Sequence, residues 1–254
     1  MKYPHLQPTD TAKAIPALIT GLVEAGRNTL QTVETDPATA IHDFRRYMKM
    51  ARAALRLGRK ALDRQDFDSL NGLLRNAQGG LSGLRDEDAL IEISGWLEKK
   101  QRKPVAALIG LAAAALRARQ SRQADPDTAG AVRQAMDLTA RAIELLQQVR
   151  FHADAPPEQV IAGGVQRVYA VGRRYIRMIS SGYPAQDIWH GWRKRAKDLR
   201  YQAGFISPAW PAYCRFWEEE LHHLTDCLGR QRDVFLLMER LKQPEIDWPE
   251  PVRK

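Results

Sequence analysis

One stretch of the chain places a histidine and several basic side chains at helical spacing. The steps between them are 3, 4, 3, 4 and 3 residues, which puts all of them on one face of an α-helix. Arginine offers a planar fork of donors and lysine a point charge, and both suit phosphate oxygens. The pattern predicts binding of a polyanion. We call it the first stripe, and it comprises His42, Arg45, Lys49, Arg52, Arg56 and Arg59.

A second stripe repeats this spacing 148 residues later (190 − 42 = 148). It comprises His190, Arg193, Lys197 and Arg200. An Arg-Asp pair follows each stripe, Arg85-Asp86 and Arg232-Asp233, at an offset of 147 residues (232 − 85 = 147). Because two independent signals share nearly one offset, the sequence predicts an internal duplication.

The composition agrees with an anionic partner. The chain has 254 residues, with 39 lysines and arginines against 30 acidic residues and a formal charge of +9. Cys214 and Cys227 form no CxxC pattern, so neither a zinc module nor a disulfide scaffold is expected. No signal-peptide core or membrane-spanning run is found, so we expect a cytoplasmic protein without membrane partners.

The elements that must position the stripes are all expected to be helices. Apolar residues recur at helical spacing, and no segment alternates with period two. Asp36 and Pro37 form a helix start, as N-cap and first helical residue. We predict an all-α fold of two similar helical-bundle halves with a pseudo-two-fold relation, the stripes facing each other across a central basic channel. The predicted helices are about 10–34, 36–63, 66–82, 84–101, 104–122, 128–150, 158–180, 185–206, 211–229 and 231–241.

The two stripes and the Arg-Asp pairs resemble the CHAD family, the conserved-histidine α-helical domains. The segment GVQRVYAVGRR, with Arg167 and Arg173, is similar to another basic helix of that family. The resemblance covers about residues 10–241, read as one domain of two repeats, about 10–150 and 151–241, with tails at 1–9 and 242–254. It implies a two-lobed fold whose basic channel binds inorganic polyphosphate, often for targeting to polyphosphate granules.

This chain departs from the family pattern at a few positions. Lys49 and Met50 stand where two arginines are common, Arg46 replaces an apolar residue, and Arg232 replaces an asparagine. Stripes and resemblance together predict a polyphosphate site and neither a cofactor nor a metal. The predicted site residues are His42, Arg45, Arg46, Lys49, Arg52, Arg56, Arg85, Arg167, Arg173, His190, Arg193, Lys194, Lys197, Arg200, Tyr201 and Arg232.

Other functions share these electrostatics. A general nucleic-acid binder is the nearest alternative, although no helix-turn-helix, zinc-finger or RNA-binding signature is found. A metal-dependent phosphoanhydride hydrolase would use Asp86 and Asp88 as Mg²⁺ ligands. The basic residues could also serve only as internal salt-bridge partners, and the histidines as packing residues. We expect a binding protein and not an enzyme, and the oligomeric state stays open.

Overall fold

The computed structural model describes residues 4–6, 11–81, 86–120, 127–152, 155–182, 185–243 and 248–253. These ranges contain helices and no strand, which confirms the predicted all-α class. The helices are α1 (Thr11–Thr29), α2 (Pro37–Leu57), α3 (Arg64–Gly80), α4 (Asp86–Glu98), α5 (Lys103–Gln120), α6 (Thr128–Gln148), α7 (Pro157–Ser180), α8 (Gln186–Ile206), α9 (Pro211–Leu241) and α10 (Glu250–Arg253).

Helix α2 begins as predicted and ends earlier than predicted. The Asp36 carboxylate accepts a hydrogen bond from the backbone N–H of Thr39 at 3.1 Å, and Pro37 is the first helical residue. The expected helix to Asp63 is wrong, because the α-helix ends at Leu57 and Gly58 is its C-cap. A short 3-10 turn then replaces the last predicted α-helical residues.

Helix α9 corrects a second prediction. The sequence predicted two helices, 211–229 and 231–241, with a break near Gly229. The structure has one helix of 31 residues, and residues 229 and 230 are both helical. A glycine inside a helix costs only about 1 kcal/mol relative to alanine, so strong helix formers on both sides carry the helix through it.

The chain forms two compact units that are discontinuous in sequence. Unit 1 comprises Met1–Leu81 and Ala129–Thr225, and unit 2 comprises Ser82–Thr128 and Asp226–Lys254. These units are groups of mutually contacting residues. The predicted sequence repeats, about 10–150 and 151–241, stay a prediction.

In unit 1, α2 packs against α1, α3, α7 and α8. Its apolar face supplies Phe44, Met48 and Leu55, each with 0% of its surface exposed. Burial of one such side chain contributes about 1.5–3 kcal/mol. Gly164 brings α7 against the end of α2, where a Cβ at that position would overlap the backbone of Leu57. The basic face of α2 is therefore held by a tightly packed apolar face behind it.

Unit 2 has an apolar core of its own. Leu90 and Ile93 of α4 pack with Leu116 of α5, with Leu237 of α9 and with Trp248. Trp248 is 4% exposed, although 242–254 was predicted as a tail. Leu6, in the other predicted tail, is also buried and belongs to unit 1, where its N–H donates to the carbonyl of residue 205 at 2.8 Å.

Over the described ranges, no helix is both long and apolar enough to cross a membrane.

Candidate anion-binding site

The two helices that carry the basic stripes, α2 and α8, lie against each other in unit 1. Arg56 of α2 and Asp198 of α8 form an ion pair, with Nη1 and Oδ1 3.3 Å apart. Gln202, which is 1% exposed, donates from Nε2 to the carbonyl of Ala53 at 3.1 Å. These two contacts join the C-terminal halves of both stripes, so the charges of α2 and α8 act on the same region.

Two acceptor side chains, one neutral and one acidic, organise the arginines at this junction. The Oδ1 of Asn71 on α3 accepts from Arg52 Nε at 3.0 Å and from Arg56 Nη2 at 3.3 Å. Asp198 accepts from Arg56 through Oδ1 and lies 3.1 Å from Arg195 Nη2 through Oδ2. Arg56 Nη1 also donates to the carbonyl of Arg52 at 2.9 Å. Three guanidinium groups are thus fixed around one amide and one carboxylate.

Positive charge exceeds negative charge at this junction. The pKa of Arg52 is lowered to about 10, mainly by burial and next by the neighbouring charge of Arg56, while Asp198 opposes the change. Burial likewise lowers the pKa of Arg56, against the attraction of Asp198 and with the repulsion of Arg195. The ligand-free site therefore disfavours the charges that it holds, and a bound anion would relieve this cost.

Tyr201 lies where the two stripes meet. It is 7% exposed, and burial raises the pKa of its phenol while the charges of Arg200, Arg46 and Arg193 act to lower it. Arg46 belongs to α2 and the other two arginines to α8, so basic residues of both helices surround one ring. The Nε atoms of Arg46 and Arg200 are buried and have no hydrogen-bond acceptor within the described part of the chain.

The N-terminal end of the first stripe is more open. His42 has 48% of its side chain exposed, and its Nδ1 lies 3.2 Å from Oδ1 of Asp43. The same oxygen lies 3.2 Å from Nη2 of Arg46. Asp43 is the only acidic residue between Ile41 and Asp63, so most of the stripe has no acid beside it in sequence.

The remaining predicted residues differ in exposure and in the unit to which they belong. Partly buried on α2 and α8 are Arg45, Lys49, His190, Arg193 and Lys197, and exposed on α7 and α8 are Arg167, Arg173 and Lys194. All of these belong to unit 1, together with the residues described above. Arg232 belongs to unit 2, 3.9 Å from Asp233. Arg85 lies outside the described residues, as do the side chains of Asp86 and Asp88.

The sequence did not single out several residues that the structure brings to the stripes. Asn71 and Asp198 hold the arginines, and Arg195 joins them from α8. In the sequence, Arg195 stands in the run Arg193-Lys194-Arg195, where spacing alone does not distinguish it from its neighbours. Asn71 carries no motif, and only its tertiary contacts identify it.

The metal-dependent alternative needs a cluster of ligands. Within the described ranges, no group of three or more His, Cys, Asp or Glu side chains is arranged to hold a metal ion. The site of the stripes is dominated by donors, which suits anionic oxygen atoms and not cations.

The family comparison matches most of the chain. A family model described as CHAD domain matches residues 17–242. No curated protein and no solved structure matches the chain significantly.

Proposed function

We propose that this chain, which belongs to the CHAD domain family, binds inorganic polyphosphate in a basic channel lined by its two stripes. The observation that carries the proposal is the junction of α2 and α8, where Arg56 and Asp198 join one helix to the other at 3.3 Å. Each stripe alone is a charged helix face. Two such faces on packed helices concentrate positive charge in one region, which a linear polyanion can follow.

The chemistry of the donors suits phosphate. Arginine forks bind phosphate oxygens in pairs, and such charge-assisted hydrogen bonds are about twice as strong as neutral ones. The partial burial of Arg52 and Arg56 strengthens their electrostatic interactions, because the local dielectric constant is lower than that of water. A polyphosphate chain would supply one anionic group after another along the stripes, and release of its counterions would favour binding.

Matching helix starts support the proposed duplication. Helix α8 starts 149 residues after α2 (186 − 37 = 149), and α9 starts 147 after α3 (211 − 64 = 147). These offsets bracket those of the two sequence motifs. Helices α2 and α8 also share a length of 21 residues.

Binding without turnover is part of the proposal, and so is localisation to polyphosphate granules. Metal-dependent hydrolysis by Asp86 and Asp88 is the competing activity, and release of orthophosphate from polyphosphate with added Mg²⁺ or Mn²⁺ would establish it. Granule localisation is tested by imaging a fluorescent fusion in cells that accumulate polyphosphate. Diffuse fluorescence would contradict that part of the proposal.

The binding itself is tested with polyphosphates of graded length. We expect the affinity of the wild-type chain to rise with length until the stripes are covered. The double variant Arg45→Ala/Arg193→Ala removes one arginine from each stripe and is expected to bind at least about tenfold more weakly. The matched control is Arg133→Ala/Arg141→Ala, two exposed arginines of α6 in the same unit. Equal losses in both variants would show that the charge acts non-specifically.

A further inference from the structure

Unit 1 contains a pocket of about 210 Å³ beside the junction of α2 and α8. Four arginines line it, Arg56, Arg59, Arg167 and Arg195, together with the amide of Asn71. Its other walls are apolar and come from α3 and α7. Arg56 and Arg59 belong to the first stripe and Arg167 to the predicted site, whereas the sequence did not single out Arg195. The pocket is therefore a distinct concentration of donors at one end of the first stripe.

Contacts with neutral or acidic groups hold most of these arginines before any ligand binds. Asp198 lies behind the pocket wall and pairs with Arg56 at 3.3 Å and with Arg195 at 3.1 Å. Asn71 accepts from Arg56 at 3.3 Å. Arg59 donates to the carbonyl of residue 62 at 2.8 Å, and its guanidinium lies 4.7 Å from the ring centroid of Phe67. Because these donors are already ordered, ligand binding would cost little side-chain conformational entropy.

The charge and size of the pocket indicate its ligand. Four arginines line the pocket, and among its described residues the lining contains no carboxylate, while Asp198 behind it pairs with two of the four. This leaves an excess of positive charge for a multiply charged anion. A terminal phosphoryl group carries about −1.5 to −2 charges near neutral pH, if it ionises as a phosphomonoester does. The pocket volume of about 210 Å³ is large enough for a phosphoryl group.

We propose that this pocket is a subsite for the end of an inorganic phosphate chain, in which Asp198 and Asn71 are positioning residues for the arginines that contact the phosphoryl group. This inference rests on the proposed function, because it assigns one end of the ligand to one place beside the first stripe. It predicts that tripolyphosphate, which is too short to follow both stripes, still binds to the pocket.

Asp198→Asn separates positioning from simple charge. The substitution raises the net charge by one beside the pocket, so attraction by charge alone would tighten tripolyphosphate binding. Positioning predicts the opposite, because Arg56 and Arg195 lose the carboxylate that orients them. We expect binding to weaken about tenfold by calorimetry, roughly the effect of one lost charge-assisted hydrogen bond. Asp137→Asn, at an exposed position of α6, makes the same charge change and is expected to leave the affinity unchanged.

A second variant keeps the proposal testable if Asp198→Asn does not fold. Arg167 is exposed and lines the pocket, so Arg167→Ala is expected to fold and to weaken tripolyphosphate binding about fivefold or more. Arg141→Ala on α6 is its control. Unchanged binding by Arg167→Ala, or tighter binding by a folded Asp198→Asn, would overturn the subsite.

The assay also distinguishes failure of the subsite from failure of the proposed function. Wild-type protein that binds long-chain polyphosphate but not tripolyphosphate would overturn the subsite and leave the proposed function standing. Protein that binds neither ligand would overturn both.

Discussion

Arg52→Met is expected to stabilise the free protein and to weaken its binding of polyphosphate. Arg52 is partly buried and is repelled by Arg56, Arg195 and Arg75, with Asp198 as the opposing charge. Methionine, like the stem of arginine, is unbranched, but it carries no charge that the neighbouring arginines could repel. The substitution does not leave the Asn71 Oδ1 without a donor, because this oxygen accepts a hydrogen bond from Arg56 at 3.3 Å as well as one from Arg52.

The structure sets the size of this effect. The pKa of Arg52 falls from its ordinary value to about 10, which corresponds to at most about 3 kcal/mol against the charged form in the folded state. Since the side chain keeps some contact with water, about 1–2 kcal/mol is a better expectation. That gain would raise the melting temperature by roughly 2–6 °C for a chain of this size. Polyphosphate affinity should fall about tenfold, because one charge-assisted contact is lost.

Urea unfolding without ligand, combined with polyphosphate binding, checks both effects on the same preparation. Arg64→Met is the control, because the Arg64 side chain is 89% exposed and surface substitutions change stability by less than about 0.5 kcal/mol. A free energy of unfolding lowered by about 1 kcal/mol or more in Arg52→Met, with a silent control, would refute the reasoning. It would show that the hydrogen bond to Asn71 outweighs the repulsion.

Three further predictions concern packing, pH and thiol reactivity. Gly164→Ala should lower the free energy of unfolding by about 3 kcal/mol, because the new Cβ would meet the fixed backbone of α2. Gly21→Ala, with open space around the new Cβ, should raise the free energy of unfolding by about 0.5–1 kcal/mol. Urea unfolding in which both substitutions are neutral would contradict the packing of α7 on α2. Because the folded pKa of Arg52 is lowered to about 10, well below its ordinary value in the unfolded chain, Arg52 of the ligand-free site loses its proton as pH rises through about 10. The polyphosphate affinity of the wild-type chain should therefore fall between about pH 9 and 11, more steeply than that of Arg52→Met. If the two affinities fall in parallel with pH, the proton of Arg52 does not contribute to binding. Iodoacetamide should label the exposed Cys227 before Cys214, because Cys214 is 6% exposed and burial raises the pKa of its thiol. Mass spectrometry of the labelled peptides gives the order, and the reverse order would contradict the burial of Cys214.

Local signals predicted the helices well where one local feature decides the structure. Asp36 and Pro37 gave the start of α2, because a side-chain acceptor and a residue without an N–H are favoured there. Helix ends were harder, because competing signals are close in strength. Gly58 ends α2 before the predicted position, whereas residue 229, also a glycine, does not interrupt α9. Tertiary packing decides between such cases, and the sequence alone does not show it.

The stripes were predictable because the spacing of residues and its repetition can be read directly from the amino-acid sequence. Their organisation was not. The Arg56–Asp198 pair joins residues 142 positions apart, and Asn71 contacts two arginines from a helix that carries no motif. Such contacts depend on how α2, α3 and α8 pack, which spacing along one helix does not encode. The sequence thus predicted a polyanion and most of the donors, and the structure supplied the residues that hold the arginines.

The central claim is that the two stripes form one polyphosphate site, and a salt titration of binding to fluorescent long-chain polyphosphate tests it most directly. The titration compares wild type with Arg45→Ala/Arg193→Ala, with duplex DNA as competitor. If the stripes form one site, we expect a steep loss of affinity with salt, a shallower slope in the variant, and weak competition by DNA. Equal competition by DNA, with the same slope in wild type and variant, would contradict the claim and would mean that the positive charge attracts any polyanion.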